Sequence, residues 1–174
     1  MKTHLLYALL LATLVVAGCS SSTKPITKPR PNQVSTAYNY NHQNHVLSYQ
    51  DPEYDRLEMM VGLELNIDPR LIGAIRVAGE RSNANQISRS GARTVYQILP
   101  KTRAALIKLY KVDPYQSSYH AALGAGYLLK ENLIRNQGNV DAAVGEYNSG
   151  LYRENWTQST QNYRQRVQQY LNQL

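Results

Sequence analysis

From Asp51 onward the apolar residues of this chain recur at three- and four-residue intervals; before Asp51 they do not. Leu57, Met60, Val61 and Leu65 form one stripe at that spacing, and Leu71, Ile75 and Ala78 form a second. Such spacing places side chains on one face of an α-helix. Asp51-Pro52 and Asp68-Pro69 precede the two stripes, and each reads as an N-cap followed by a proline at the first helical position. The second stripe ends at Gly79-Glu80. Residues 100–110 open with Pro100 and carry Leu106, Ile107 and Tyr110. The stretch from Tyr119 to Arg135 is apolar on nearly every face, and Ala121, Ala122, Gly124, Ala125 and Gly126 permit close approach, so it predicts a central helix. Asn139 reads as the cap of a helix with Val140, Ala143, Val144 and Tyr147 on one face. Tyr163, Val167, Tyr170, Leu171 and Leu174 mark the last helix. No segment alternates as a strand would, and there is no internal repeat. The pattern predicts a mainly α domain over residues 51–174, about six helices around a central apolar one.

The residues before Asp51 are of another kind. Lys2, an apolar run from Leu5 to Val16, and then Ala17-Gly18-Cys19 read as an export signal over residues 1–18. The run is short for a membrane span. The only cysteine stands where that stretch ends, and the segment resembles a bacterial lipoprotein lipobox, with cleavage before Cys19 and lipid attached to it. A lipidated Cys19 leaves no thiol for a disulfide, so the domain must be held by its core. Residues 19–50 are rich in Ser, Thr, Pro, Asn and Gln. They read as a lipidated flexible tether that reaches roughly 100 Å at most. His42 and His45 have helical metal spacing but no third ligand, and no glycine-rich loop follows a strand. Neither a metal nor a cofactor is expected.

The formal charge is +7, spread along the chain and interleaved with acids. A basic exported protein could meet anionic lipid, a wall polymer or nucleic acid. No predicted face gathers the basic residues, so nucleic acid is not an expected partner; a monomer is expected. There are 14 Tyr and no Phe. Tyrosine suits a sugar-binding surface and suits a core periphery equally.

The segment between the second stripe and Pro100 is long, small and polar. Glu80 is the sole acid in residues 79–103. A carboxyl at the end of an apolar helix loses hydration, which raises its pKa. A raised pKa keeps a Glu protonated near neutral pH and fit to act as a general acid. Glycosidases usually employ two carboxylates, and this region supplies one. Two readings stand at this point: a cleft acid, or a solvated Glu at a helix end.

Motifs add weight. Ser88-Arg89-Ser90-Gly91-Ala92, then Gln97-Ile98-Leu99-Pro100-Lys101-Thr102, then Glu146-Tyr147-Asn148-Ser149-Gly150, then Asn162-Tyr163-Arg164-Gln165-Arg166-Val167 occur in that order. Together they resemble the lytic transglycosylases of the soluble, goose-lysozyme-like type, and the similarity covers nearly all of residues 54–170. In that family the acid is followed directly by Ser; here Arg81 stands between Glu80 and Ser82. Aligned rigidly from Ser88, Glu80 falls one place late. Thr94-Val95-Tyr96 also replaces the family's Gly-Leu-Met. The string Gly79-Glu80-Arg81-Ser82-Asn83, with Gly91 to Ile98, is similar to a phage and prophage branch of muralytic proteins that keeps the Glu at this place.

The resemblance implies a lysozyme-like fold and cleavage of peptidoglycan between N-acetylmuramic acid and N-acetylglucosamine, with a 1,6-anhydro product. It implies Glu80 as acid and then base, and Tyr147 as the tyrosine that bonds near the acid and orients it. It implies Gln97 and Asn148 as residues that reach the sugar or brace the cleft. It also implies Ser88 as a serine near the acid, or as a loop-capping hydroxyl. Glu146 is not expected at the cleft if Tyr147 faces it, because adjacent helical positions diverge by about 100°. A hydrolysing muramidase on the same fold and a non-catalytic wall-binding lipoprotein are the alternative readings. Ser20, in place of the aspartate that marks inner-membrane retention, implies an outer-membrane lipoprotein facing the periplasm.

Overall fold

The computed structural model describes residues 48–174. The signal segment, Cys19, His42, His45 and nearly all of the tether lie outside the described residues. The elements are α1 (Glu53–Leu65), α2 (Pro69–Ala74), α3 (Pro100–Tyr110), α4 (Ser118–Arg135), α5 (Val140–Ser149) and α6 (Gln158–Leu171). α2 runs on without a break into a π-helical segment, Ile75–Glu80, and a 3-10 turn, Arg153–Asn155, precedes α6. Among the described residues the one β feature is an isolated bridge between Arg93 and Ile98. The expected lysozyme-like helical domain is what these residues form.

Asp68 and Asn139 cap their helices as expected, whereas α1 begins one residue later than Asp51-Pro52 predicts, with Pro52 itself at the N-cap position. Asp51 accepts from the Glu53 N–H at 3.0 Å, Asp68 from Arg70 at 2.9 Å and Asn139 from Ala142 at 2.9 Å. Each satisfies an N–H that the first turn cannot pair internally. Pro100 is the first residue of α3 and follows Leu99, which offers no side-chain cap.

α4 is the central helix, with Tyr119, Ala121, Ala122, Leu123, Ala125 and Leu129 all buried. α1 crosses it at Gly126, where an added Cβ would lie 2.6 Å from Val61 Cγ1 and 2.8 Å from Leu65 Cδ1. Two apolar residues assigned to stripes are not in the core. Leu174 is 64% exposed because α6 stops at Leu171, and Ile107 is 38% exposed on the outer side of α3.

A polar knot sits inside this apolar frame. The Arg76 side chain, buried in the second helix, donates to Glu58 of α1 through Nε at 2.6 Å and Nη2 at 2.8 Å. It also donates to Asp55 at 2.5 Å and to the Tyr49 carbonyl. The Tyr96 hydroxyl donates to Glu58 at 2.8 Å. Burial works against the Arg76 charge, but the bonds and charge of Glu58 outweigh it, and Arg76 is held protonated. Tyr49, near the end of the stretch read as tether, is thus already part of the packed unit; its N–H also donates to Asn83 at 3.2 Å. The knot ties α1, the helix that carries Glu80, and the 82–99 loop into one body.

Candidate active site

Glu80 is the last residue of the π-helical segment. The Arg81 N–H donates to the Arg76 carbonyl at 3.0 Å, an i to i+5 bond. Such a turn holds one residue more than an α turn and is frequent at functional sites. Arg81 then ends the helix in the left-handed region, at φ +53°.

α6 packs directly on this turn. The Tyr163 hydroxyl donates to Glu80 Oε1 at 2.9 Å. Gly79 makes the approach possible: a Cβ there would lie 2.4 Å from the Tyr163 oxygen. Burial pushes the Glu80 carboxyl up to about 7, against the lowering pull of the Tyr163 bond and the Arg166 charge. Arg166 donates to the carbonyls of Ala78 at 3.1 Å and Gly79 at 3.3 Å, so it closes the end of the π-helix. Its guanidinium also lies 5.6 Å from the centre of the Tyr163 ring. The result is a carboxyl shifted toward neutral pH and fixed in direction by a hydroxyl donor.

The tyrosine bonded to the acid is Tyr163 and not Tyr147. Tyr147 donates instead to the Tyr96 carbonyl at 2.9 Å. The physical reason is the packing of α6 on the π-helix, which puts Tyr163 at Oε1 first. Tyr147 remains close enough for the Glu80 charge to add to burial in raising its pKa. The other residues expected at the site serve the loop and the end of α5. Ser88 Oγ accepts from the Ala92 N–H at 3.0 Å, the loop-capping role of its two alternatives. Gln97, at φ +47°, donates from its amide to the Thr94 carbonyl at 2.9 Å. Asn148 is exposed at the end of α5 and accepts from Ser149 Oγ at 2.9 Å. Glu146 is turned away, bonded to Arg135 at 2.6 Å and to Asn136 at 2.6 Å. Among the described residues the groups that act on the ionisation of Glu80 are therefore Tyr163 and Arg166, with no second carboxylate.

Tyr163 and Arg166 both lie in the Asn162–Val167 motif, which in the sequence marks only a helix and a family signature. Its signal for the site was the placement of two polar-tipped residues three apart in a segment whose apolar face must meet the acid-bearing helix.

The transglycosylase SLT domain family matches residues 57–169, from α1 to α6, and so includes Glu80, Tyr163 and Arg166. A protein of Enterobacteria phage PRD1 named "Transglycosylase" is 32% identical over 111 residues. That alignment covers 64% of this chain and 40% of the phage protein, so the chain spans well under half the length of that relative. A match across most of the folded unit, with the acid, its hydroxyl donor and the closing arginine inside it, assigns the chain to the transglycosylase SLT domain family of lytic transglycosylases.

Proposed function

We propose that this domain is a peptidoglycan lytic transglycosylase in which Glu80 is the only acid-base group. The observation that carries the proposal is the partly buried Glu80 carboxyl at the end of the π-helical segment, raised to about 7 and oriented by Tyr163. Protonated Glu80 gives its proton to the oxygen between N-acetylmuramic acid and N-acetylglucosamine, and the C1–O bond breaks. The substrate's own N-acetyl group shares the positive charge at C1, a role that a second carboxylate has in other glycosidases. The Glu80 carboxylate then takes the proton from the muramyl C6 hydroxyl as that oxygen bonds to C1. The 1,6-anhydro ring forms, no water is consumed, and the acid ends protonated as it began.

Tyr163 would hold the carboxyl in both ionisation states. It donates to the carboxylate that forms after proton transfer, which is where a hydrogen bond strengthens most. Gln97, Asn148 and Tyr147 are proposed to line or brace the glycan cleft, and Ser88 to shape the loop beside it. The reading extends to place: with Cys19 acylated, the tethered domain would work from the outer membrane on the periplasmic wall. The lipobox residues before Cys19 support this part.

Digestion of purified sacculi followed by mass spectrometry tests the chemistry. Muropeptides ending in 1,6-anhydromuramic acid are the expected product. Reducing muramic ends would make the protein a hydrolysing muramidase, and no release at all would leave a wall-binding lipoprotein.

A further inference from the structure

A cavity of about 320 Å³ opens beside the catalytic turn, and Glu80 does not line it. Arg81 and Arg166 do, together with Tyr49, Gln169 and Gln173. Arg81 directly follows Glu80 in the chain, and Arg166 lies one helical turn, about 5 Å, along α6 from Tyr163. The cavity therefore adjoins the acid on the side toward the end of α6.

No ion pair closes it, although the Arg166 charge acts on the neighbouring Glu80 carboxyl. Among the described residues neither arginine has a carboxylate within ion-pair distance. Arg166 commits Nε and Nη2 to the Ala78 and Gly79 carbonyls, and a guanidinium has five N–H donors, so several remain. Arg81 makes no side-chain bond within the described residues. The chain's own N-terminal segment cannot neutralise them, because there is no Asp or Glu before Asp51. Two guanidinium groups at one polar cavity match the bidentate geometry of a carboxylate. The amides of Gln169 and Gln173 can both donate and accept, as peptide groups require. The volume lies in the range of small-ligand sites.

We infer that this cavity is a subsite for a carboxylate of the peptide carried by the wall's muramic acid residues. The inference rests on the proposed function: a strand placed with its muramic acid at Glu80 brings the peptide, attached to that same sugar, to the neighbouring surface. Arg81 is then the residue that turns the enzyme toward peptide-bearing strands and away from bare ones. The one-residue shift around Glu80 acquires a consequence for specificity, since Arg81 is the residue that separates Glu80 from Ser82.

The test is binding to the full chain carrying Glu80→Gln, so that nothing is turned over. The probes are a disaccharide-peptide with free carboxylates and the same molecule with its carboxylates amidated. The free acid is expected to bind about tenfold more tightly, the scale of one charge-assisted bond pair. Adding Arg81→Gln is expected to erase that difference, with the thermal unfolding midpoint unchanged because Arg81 is exposed. Equal affinity for both probes, or a difference that survives Arg81→Gln, would overturn the inference. So would Arg81-dependent binding to phosphatidylglycerol vesicles that exceeds binding to the probe, which would assign the cavity to lipid headgroups. If the native chain releases no muropeptides while the discrimination persists, the enzymatic reading fails and the subsite stands. Release from sacculi without discrimination has the reverse meaning.

Discussion

Glu80→Gln is expected to lower muropeptide release from sacculi by about 10³- to 10⁴-fold, the upper part of the range for a lost general acid. The upper part applies because in the proposed mechanism one group serves both proton transfers. Glutamine keeps the shape of the side chain, and its carbonyl can still accept the Tyr163 hydroxyl. The fold should therefore persist, and stability provides the control. The folded-state pKa of Glu80, about 7, lies above the ordinary 4.5, so the folded protein binds this proton more tightly than the unfolded chain. The contribution is fully present below about pH 4.5 and is lost as pH rises through about 7. Its size is on the order of 3 kcal/mol. Denaturant unfolding of the wild type at a series of pH values should show this decline relative to Glu80→Gln, followed by a plateau. A variant that is inactive yet gains relative stability above neutrality has lost chemistry and not structure. A variant that keeps a tenth of the wild-type rate would remove Glu80 from the mechanism.

The second large effect is expected far from the glycan. Arg76→Ala should cost about 3–5 kcal/mol, because it leaves the Glu58 carboxylate buried without its cation. The Tyr49 carbonyl loses its guanidinium donor as well. The damage should reach the site through the backbone, since Tyr96, bonded to Glu58, offers the carbonyl that holds Tyr147. The double change Arg76→Met with Glu58→Leu removes both charges together, and much of the loss should return. Urea midpoints for the single and double variants measure this. A cost below about 1 kcal/mol for Arg76→Ala would mean that the knot is not a structural requirement.

Helix positions and their caps were readable in the sequence because they depend on neighbours in the chain. Asp68 caps the turn that Pro69 opens, and small residues from Ala121 to Gly126 mark the buried helix. Glu80 was readable as an acid at a helix end. Its surroundings were not, because they depend on contacts between distant segments. Tyr147 and Tyr163 both lie on apolar stripes at helical spacing, and nothing local distinguishes which of the two reaches the acid. The Glu58–Arg76 pair joins residues on two helices, and a charged residue within an apolar stripe reads equally well as exposed. The π turn leaves little trace in periodicity, as it changes one bond register over a few residues. Gly79 reads as the end of a helix; its steric role emerges only once α6 is laid against it.

The central claim is that burial keeps a single carboxyl protonated near neutral pH, with Tyr163 bonded to it. The most direct measurement is a ¹³C NMR titration of the Glu80 side-chain carboxyl in the full chain, assigned by its disappearance in Glu80→Gln. A midpoint near 7 is expected. A midpoint at or below the ordinary 4.5 would contradict the account, since a carboxylate ionised at neutral pH has no proton to give the glycosidic oxygen.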